Sequence, residues 1–383
     1  METICFIANK YPNATDPNGL VFVQQLVWTI ADQGKKCIVI CPLASNLKPK
    51  TFNVPEHIVE VTENGNKVEV FFPKYFGLGQ SHYILGKSPA PITTRLFTAA
   101  VWRTIKKHGI SMDAVYGHFV TPAGIAAARI GRKLGIPSFM AHGESTTWSI
   151  DQFGAEKVRK ELRSLAGIIA VSTRNKQLMI DNDVVASNKI RVFPNGYRAE
   201  RFYKRDKREA RKRFGWSEDD FIVGFCGSFD ERKGILRLQE AVDQIPDVKF
   251  ACAGKGKLMP TSEKCIWAKP VNNEELPCFY SALDIFVLPT QNEGCCNAIV
   301  EAIACGCPII SANRSFNSDI CDESNSILVD PDDVKRILDA IVRLKNDEGL
   351  RGSLAEGSKK MAEKLTLVRR AENIIHFMET QCY

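Results

Sequence analysis

Short apolar runs alternate with amphipathic stretches along the whole chain. In the first half, residues 3–8, 37–41, 114–116, 138–141, 168–171 and 191–193 read as strands. Between them, 22–33, 93–107, 123–134 and 173–181 read as helices. In the first of these helices Val23, Leu26, Val27, Ile30 and Ala31 recur at helical spacing on one face. Strands that alternate with helices predict a parallel sheet covered on both faces. The alternation then restarts, with strands at 221–225, 249–253, 285–288 and 308–311 and helices at 235–244, 274–281, 297–305 and 332–344. Two successive units of this kind predict two doubly wound α/β domains, with ligands at the carboxyl ends of the strands.

Between the two alternations, Glu200–Phe214 carries eight cations, Arg201, Lys204, Arg205, Lys207, Arg208, Arg211, Lys212 and Arg213. By itself this segment buries almost nothing and reads as a solvated helix after a domain junction; a phosphate or membrane contact is the other reading.

The length of 383 residues suits two ordinary domains and exceeds one compact core. With 44% hydrophobic and 25% charged residues, bulk disorder is not expected. No apolar run approaches the roughly 18 residues of a membrane-spanning helix. Residues 3–8 read as a strand of the fold, so no signal peptide is expected and a cytoplasmic location is. Thirteen cysteines, mostly in apolar segments, read as buried reduced thiols. Cys295, Cys296, Cys305, Cys307 and Cys321 lack C-x-x-C spacing, so no metal site is expected.

The net charge of +7 is unevenly spread. Residues 1–196 hold 23 Lys and Arg against 14 Asp and Glu, or +9; residues 197–383 hold 28 against 30, or −2. A membrane surface, an anionic acceptor and nucleic acid would each suit the basic half, as would plain solvation.

The most informative segment is PTQNEGCCNAIVEAIACGCP, residues 289–308. It leads from a strand end through a polar loop with Glu293 and Gly294 into a helix with Asn297 as a candidate N-cap and Glu301 in its early turns. The backbone N–H groups of such a helix start, from about Gly294 to Ala298, suit a phosphate or sugar hydroxyls. Two carboxylates eight residues apart can accept from hydroxyls, although taken alone they read better as ordinary surface acids.

In order along the chain, Glu293, seven residues, Glu301-Ala302 and Gly306-Cys307-Pro308 resemble the signature of glycosyltransferase family 4, the group 1 glycosyl transferases. Upstream lie Asp284-Ile285-Phe286-Val287-Leu288-Pro289, Ala253-Gly254-Lys255-Gly256 and Gly227 through Lys233-Gly234. The first half adds Tyr11-Pro12 through Gly19, His142-Gly143, Val171-Ser172, Pro194-Asn195-Gly196 and Arg201-Phe202. The resemblance spans essentially the whole chain.

It implies a GT-B fold, two Rossmann-like domains facing across a cleft. The first would be an acceptor-side domain of residues 1–197 completed by a C-terminal helix of about 366–383, and the second a nucleotide-sugar domain of residues 198–365. The implied reaction is retaining transfer of a hexosyl group from a UDP- or GDP-linked sugar to a glycan or lipid-linked acceptor, in cell-surface polysaccharide or glycolipid synthesis, without a metal or other cofactor. Because the first half carries +9 and no spanning run, any contact with anionic membrane is expected to be peripheral and electrostatic, and nucleic acid is not expected as a partner. Lys233 would meet the donor pyrophosphate, Glu301 the ribose, and Glu293 the transferred sugar, with Gly294, Cys295, Cys296 and Asn297 alongside. His142 would lie near that sugar; His118 is a weaker candidate. Gly19 would let the entry loop approach a ligand closely.

Three departures stand out. The family's arginine after Gly227 is Ser228, which leaves Arg232 as a substitute cation. Its Glu-Gly-Phe-Gly is Glu293-Gly294-Cys295-Cys296, and its glycine-rich step before the last strand is Arg314–Asp319. A nucleotide-sugar epimerase, a phosphorylase and a non-catalytic sugar-nucleotide-binding subunit would share the architecture.

Overall fold

The computed structural model describes residues 1–79 and 86–381. The chain divides into two compact units, Met1–Phe193 with Ala371–Tyr383, and Pro194–Arg370. These divisions fall slightly before position 197 and after position 365, for a visible reason. Tyr197 N–H donates to the Leu365 carbonyl at 3.0 Å and Leu367 N–H to the Tyr197 carbonyl at 2.8 Å. The Arg370 guanidinium binds the Pro194 carbonyl. The two connecting segments therefore pair with each other as part of the second unit. Positions 382–383 of the expected C-terminal helix lie outside the described residues.

The first unit is built on an eight-stranded sheet. Its strands are β1 (Thr3–Ala8), β2 (Lys36–Ile40), β4 (His57–Val61), β5 (Lys67–Phe71), β7 (Ala114–His118), β8 (Ser138–His142), β9 (Gly167–Ala170) and β10 (Ile190–Val192), in the order β10-β9-β8-β7-β1-β2-β5-β4. A separate ribbon pairs β3 (Leu43–Ala44) with β6 (Lys74–Tyr75). Apart from β4 against β5, the pairings are parallel. Its helices are α1 (Val21–Asp32), α2 (Ala90–His108), α3 (Ile125–Leu134), α4 (Trp148–Phe153), α5 (Ala155–Leu162) and α6 (Thr173–Asp181). Strands β1, β7 and β8 are apolar on both faces because helices cover both, and Ile4 to Ala8 are buried throughout. The chain order reverses between β1 and β7, so the loops after these strands flank a switch point.

The second unit holds α7 (Lys207–Phe214), β11 (Phe221–Phe229), α8 (Ile235–Asp243), β12 (Val248–Gly256), β13 (Cys265–Lys269), α9 (Leu276–Ser281), β14 (Ile285–Leu288), α10 (Asn297–Ala304), β15 (Ile309–Ala312), β16 (Ser326–Val329), α11 (Val334–Asn346) and α12 (Glu348–Ala362). Helix α13 (Leu367–Thr380) closes the chain. The parallel sheet runs β13-β12-β11-β14-β15-β16, with its switch point between β11 and β14.

The basic segment is not simply solvated. Arg211 of α7 is 2% exposed. Its guanidinium donates to the carbonyls of Ala282, Ser217 and Glu218 and to Asp284 Oδ2 at 2.7 Å. Asp284 also pairs with Lys207 and accepts the Ile222 N–H at 2.6 Å. Burial of that charge is possible because four hydrogen bonds, one of them to a carboxylate, replace its water.

Candidate functional site

In the second unit, the loops after β11 and β14 bring the expected donor residues together. Asp230 Oδ1 accepts the Lys233 N–H at 2.9 Å, and its other oxygen takes the Ser228 hydroxyl. Ser228 thus acts as a loop anchor where the family carries a cation. Gly234 follows with φ +78°, and a Cβ there would stand 2.6 Å from the Pro289 carbonyl oxygen. Only glycine fits this close pass between the two loops, which sets Lys233 at the end of β11. The neighbouring motif has the same logic, since a Cβ on Gly254 would lie 1.9 Å from the Gly227 oxygen.

Lys233 is 9% exposed. Its Nζ lies 2.6 Å from Glu293 Oε1 and 3.8 Å from Cys296 Sγ. Burial opposes the ammonium, but the Cys296 sulfur and the Glu293 carboxylate outweigh it, so the lysine pKa is held above its usual value. Glu293 also accepts from Thr290 Oγ1 at 3.1 Å and pairs with Arg232. Arg232 donates to the Asn292 carbonyl at 2.7 Å as well. Arg232 therefore stands beside Lys233, as expected of a substitute cation, but is bound to Glu293 and the loop carbonyl.

The helix start differs from expectation. Cys296, with extended backbone, is the N-cap of α10, and Asn297 is the first helical residue. The Asn297 side chain is engaged elsewhere, its Oδ1 accepting from Asn195 Nδ2 at 2.8 Å, and Asn195 also holds Cys295 through its carbonyl at 3.1 Å. Gly294, Cys295 and Cys296 are buried. Burial pushes the Cys296 thiol up, against the pull of Lys233 and of the Ile299 and Ala298 N–H groups. Behind this loop, Tyr280 OH donates to Glu301 Oε2 at 2.9 Å. Burial lifts the Glu301 carboxyl to about 7, opposed by the Tyr280 hydrogen bond and the charge of Arg201. Neither Tyr280 nor Arg201 is given a donor-site role in the sequence reading, although Arg201 lies within a quoted motif and Tyr280 within the helix expected at 274–281.

In the first unit, His142 ends β8 and is 1% exposed. Its Nδ1 lies 2.8 Å from Glu144 Oε2. Glu144 Oε1 accepts the Val120 N–H at 2.9 Å and Ser149 Oγ at 3.2 Å. Burial raises the Glu144 pKa, yet the hydrogen bonds from His142 and the Val120 N–H prevail and hold it below the ordinary value. An ionised Glu144 assigns the Nδ1 proton to the shared bond. The buried Nε2 has no hydrogen-bond partner among the described residues. Glu144 was not singled out from sequence; its signal was a carboxylate two residues past a strand-end histidine. His118, at the end of β7, is buried between Phe22 and Phe119, with ring centroids at 5.6 and 4.7 Å. Gly19 precedes α1, where a Cβ would press within 3.0 Å of Asp16 Oδ2.

The cysteines other than Cys382 are free, and all of these but Cys226, Cys265 and Cys278 are buried. Among the described residues no three His, Cys, Asp or Glu side chains are grouped to hold a metal ion, and no helix is long and apolar enough to cross a membrane.

Two doubly wound units with polar and charged side chains gathered at the strand ends define the GT-B class of transferase. Comparison with known proteins narrows this. The family described as "Glycosyl transferases group 1" matches residues 206–361, and "Glycosyltransferase Family 4" matches residues 21–201. A Bacillus subtilis protein assigned to teichuronic acid biosynthesis as a glycosyltransferase is 26% identical over 360 residues, 90% of each chain. The UDP-Gal:alpha-D-GlcNAc-diphosphoundecaprenol alpha-1,3-galactosyltransferase of Escherichia coli is 26% identical over 72% of this chain and 76% of its own. Among solved structures, Anabaena HepE in complex with UDP matches with a TM-score of 0.74 at 16% identity, over 99% of this chain and 100% of its own. The chain belongs to the group 1 glycosyl transferases of family 4, and it is a glycosyltransferase.

Proposed function

We propose that the protein transfers a hexosyl group, with retention, from a UDP-linked sugar to a glycan or lipid-linked acceptor in cell-surface polysaccharide or glycolipid synthesis. The observation that carries this reading is the buried Lys233 ammonium against Glu293 at the β11/β14 switch point, with Tyr280–Glu301 behind it. UDP is favoured over GDP by the UDP-dependent E. coli relative and by the solved complex of HepE with UDP.

Lys233, with Arg232 beside it, offsets the charge that grows on the departing diphosphate, a task metal ions perform elsewhere. Glu301 accepts from the ribose hydroxyls in its ionised form. Glu293 accepts from hydroxyls of the transferred sugar once the phosphates draw the two cations toward themselves. The open Nε2 of His142 receives a sugar hydroxyl, its ring held by Glu144. The sugar–phosphate C–O bond breaks with its electron pair on the departing diphosphate, the acceptor oxygen bonds to the same carbon from the same face, and the acceptor hydroxyl's proton passes to the departing phosphate oxygen. The expected setting is the cytoplasmic side of a membrane.

A donor screen that follows nucleotide diphosphate release, with membrane extract as the acceptor source, tests this. Release that requires acceptor is the expected result. Donor consumption without acceptor would instead mark an epimerase, and donor binding without turnover a non-catalytic subunit.

A further inference from the structure

The second unit carries another concave site, at the end of its sheet opposite the donor loops. A cavity of about 240 Å³ opens beside the starts of β14 and β15, against the basic segment, α9 and α12. Lys204, Lys207 and Arg351 line it together with Asp284 and Glu348. Its walls are tied to one another. The Arg205 N–H donates to Ser281 Oγ at 2.9 Å, which holds the basic segment on the end of α9. Ser358 Oγ donates to the Cys307 carbonyl at 2.6 Å, which holds α12 on the turn before β15. Gly306 in that turn has φ +70°, and a Cβ there would stand 3.4 Å from Lys204 Cδ, so the lysine stem lies over the turn.

The charges around this cavity do not cancel. Asp284 is bound by the buried Arg211 as well as by Lys207, and it accepts the Ile222 N–H. Lys204 is exposed and makes no ion pair or hydrogen bond among the described residues. Arg351 gives one guanidinium nitrogen to the carbonyls of Leu344 and Lys345, at 2.7 and 3.2 Å, and pairs with no carboxylate among the described residues. Lys204, Lys207, Arg211 and Arg351 thus stand against Asp284 and Glu348, an excess of two positive charges. The carbonyls that end α10 offer no site for a cation, because the Gly306 and Cys307 N–H groups already bind those of Ile303 and Ala302, at 2.9 and 3.0 Å. An anion is therefore the ligand that this concavity suits.

We propose that the cavity binds the phosphate group of a small ligand, free phosphate or a phosphorylated sugar, at a site separate from the donor loops. Its volume is below the ~300–1,000 Å³ of pockets that take drug-sized molecules, so the occupant is small. A phosphate dianion has oxygens enough for the remaining fork of Arg351 and for the two ammonium groups together, whereas a carboxylate brings one charge and two oxygens. The site goes beyond the glycosyltransfer reading and does not depend on it.

The test is calorimetric titration of the full chain with inorganic phosphate and with glucose 6-phosphate, at fixed ionic strength in chloride. Phosphate is expected to bind in the millimolar range, the affinity that a few charge-assisted contacts leave after the cost of association. Tighter binding of glucose 6-phosphate than of phosphate would mark a phosphorylated sugar as the occupant, and the reverse order the free ion. Binding is expected to persist in Lys233→Ala, which removes the buried cation of the donor loops. Lys204→Glu and Arg351→Gln are each expected to weaken it at least tenfold, as the loss of a charge-assisted hydrogen bond implies. Lys204 is exposed, so its variant keeps the fold, and circular dichroism checks both. UDP affinity is expected to be the same in Lys204→Glu as in wild type. Phosphate binding that is lost in Lys233→Ala and kept in both cavity variants would place the ion at the donor loops and overturn the proposal. So would malonate binding more tightly than phosphate, or no phosphate binding above that of chloride.

Discussion

At the strand ends of the second unit the charged groups are bound to one another, Lys233 and Arg232 to Glu293, with Glu301 on Tyr280. At the end of β8 in the first unit, Glu144 satisfies one ring nitrogen of His142 and the other is left buried without a hydrogen-bond partner among the described residues. A ligand of the second unit must exchange ion pairs, so its affinity depends on displaced charge. A ligand of the first unit meets one oriented polar atom, whose worth is positional. The second unit should therefore govern nucleotide affinity, and His142 should govern turnover.

The largest expected effect tests how far the second unit depends on its internal pairs. Asp284→Ala leaves Arg211 buried without its carboxylate. A loss of about 3–5 kcal/mol in that unit's stability is expected in denaturant unfolding. A change below 1 kcal/mol would show that the three carbonyls suffice for the guanidinium.

Next in size is Lys233→Ala. Removing a desolvated cation from the phosphate contact is expected to weaken donor binding or turnover by about 10²-fold. Calorimetry and release assays that find both unchanged in a folded variant would remove Lys233 from the donor site.

His142→Ala sharpens the contrast. Turnover is expected to fall by about tenfold or more, with nucleotide diphosphate affinity within about twofold of wild type. Glu144→Gln, which keeps a partner on Nδ1 but not its charge, should fall between the two. An affinity loss in His142→Ala as large as that of Lys233→Ala would erase the division.

The last effect is a pH dependence. The Glu301 pKa is raised from 4.5 to about 7 in the folded chain. Between these values the folded state holds a proton that the unfolded chain has lost. Stability should therefore fall as pH rises across that window, by at most about 3 kcal/mol. Glu301→Gln should flatten this slope in thermal unfolding monitored across the window. Nucleotide affinity should move the opposite way, rising through pH 7 as the carboxylate forms; an affinity that does not change across pH 7 would take Glu301 off the ribose.

What could be read from the chain follows the range of the interactions. Ile285–Leu288 and Thr173–Asp181 form where their apolar runs and helical spacing place them. The apolar strand at Phe221 was legible only to Phe225, because its continuation to Phe229 depends on pairing with β12 as far as Gly256. Between positions 41 and 93 the sequence suggested no element, yet β4 and β5 lie there. β4 is an edge strand with Val59 and Val61 exposed, and its pattern carries no buried run to betray it. β13 is half-buried at the other sheet's edge and escaped for the same reason.

The sequence by itself determined two doubly wound units, the order of their motifs and the residue types at the donor loops, because periodicity and motif spacing are local properties of the chain. Only the tertiary structure decided that Arg211 is buried, that Arg232 is bound to Glu293, that Glu144 fixes His142, and that Cys296 caps α10. The first two depend on a distant partner set by packing: Asp284 lies 73 residues from Arg211, and Glu293 lies 61 from Arg232. A charge is buried, or a pKa displaced, only by the atoms that folding brings around it.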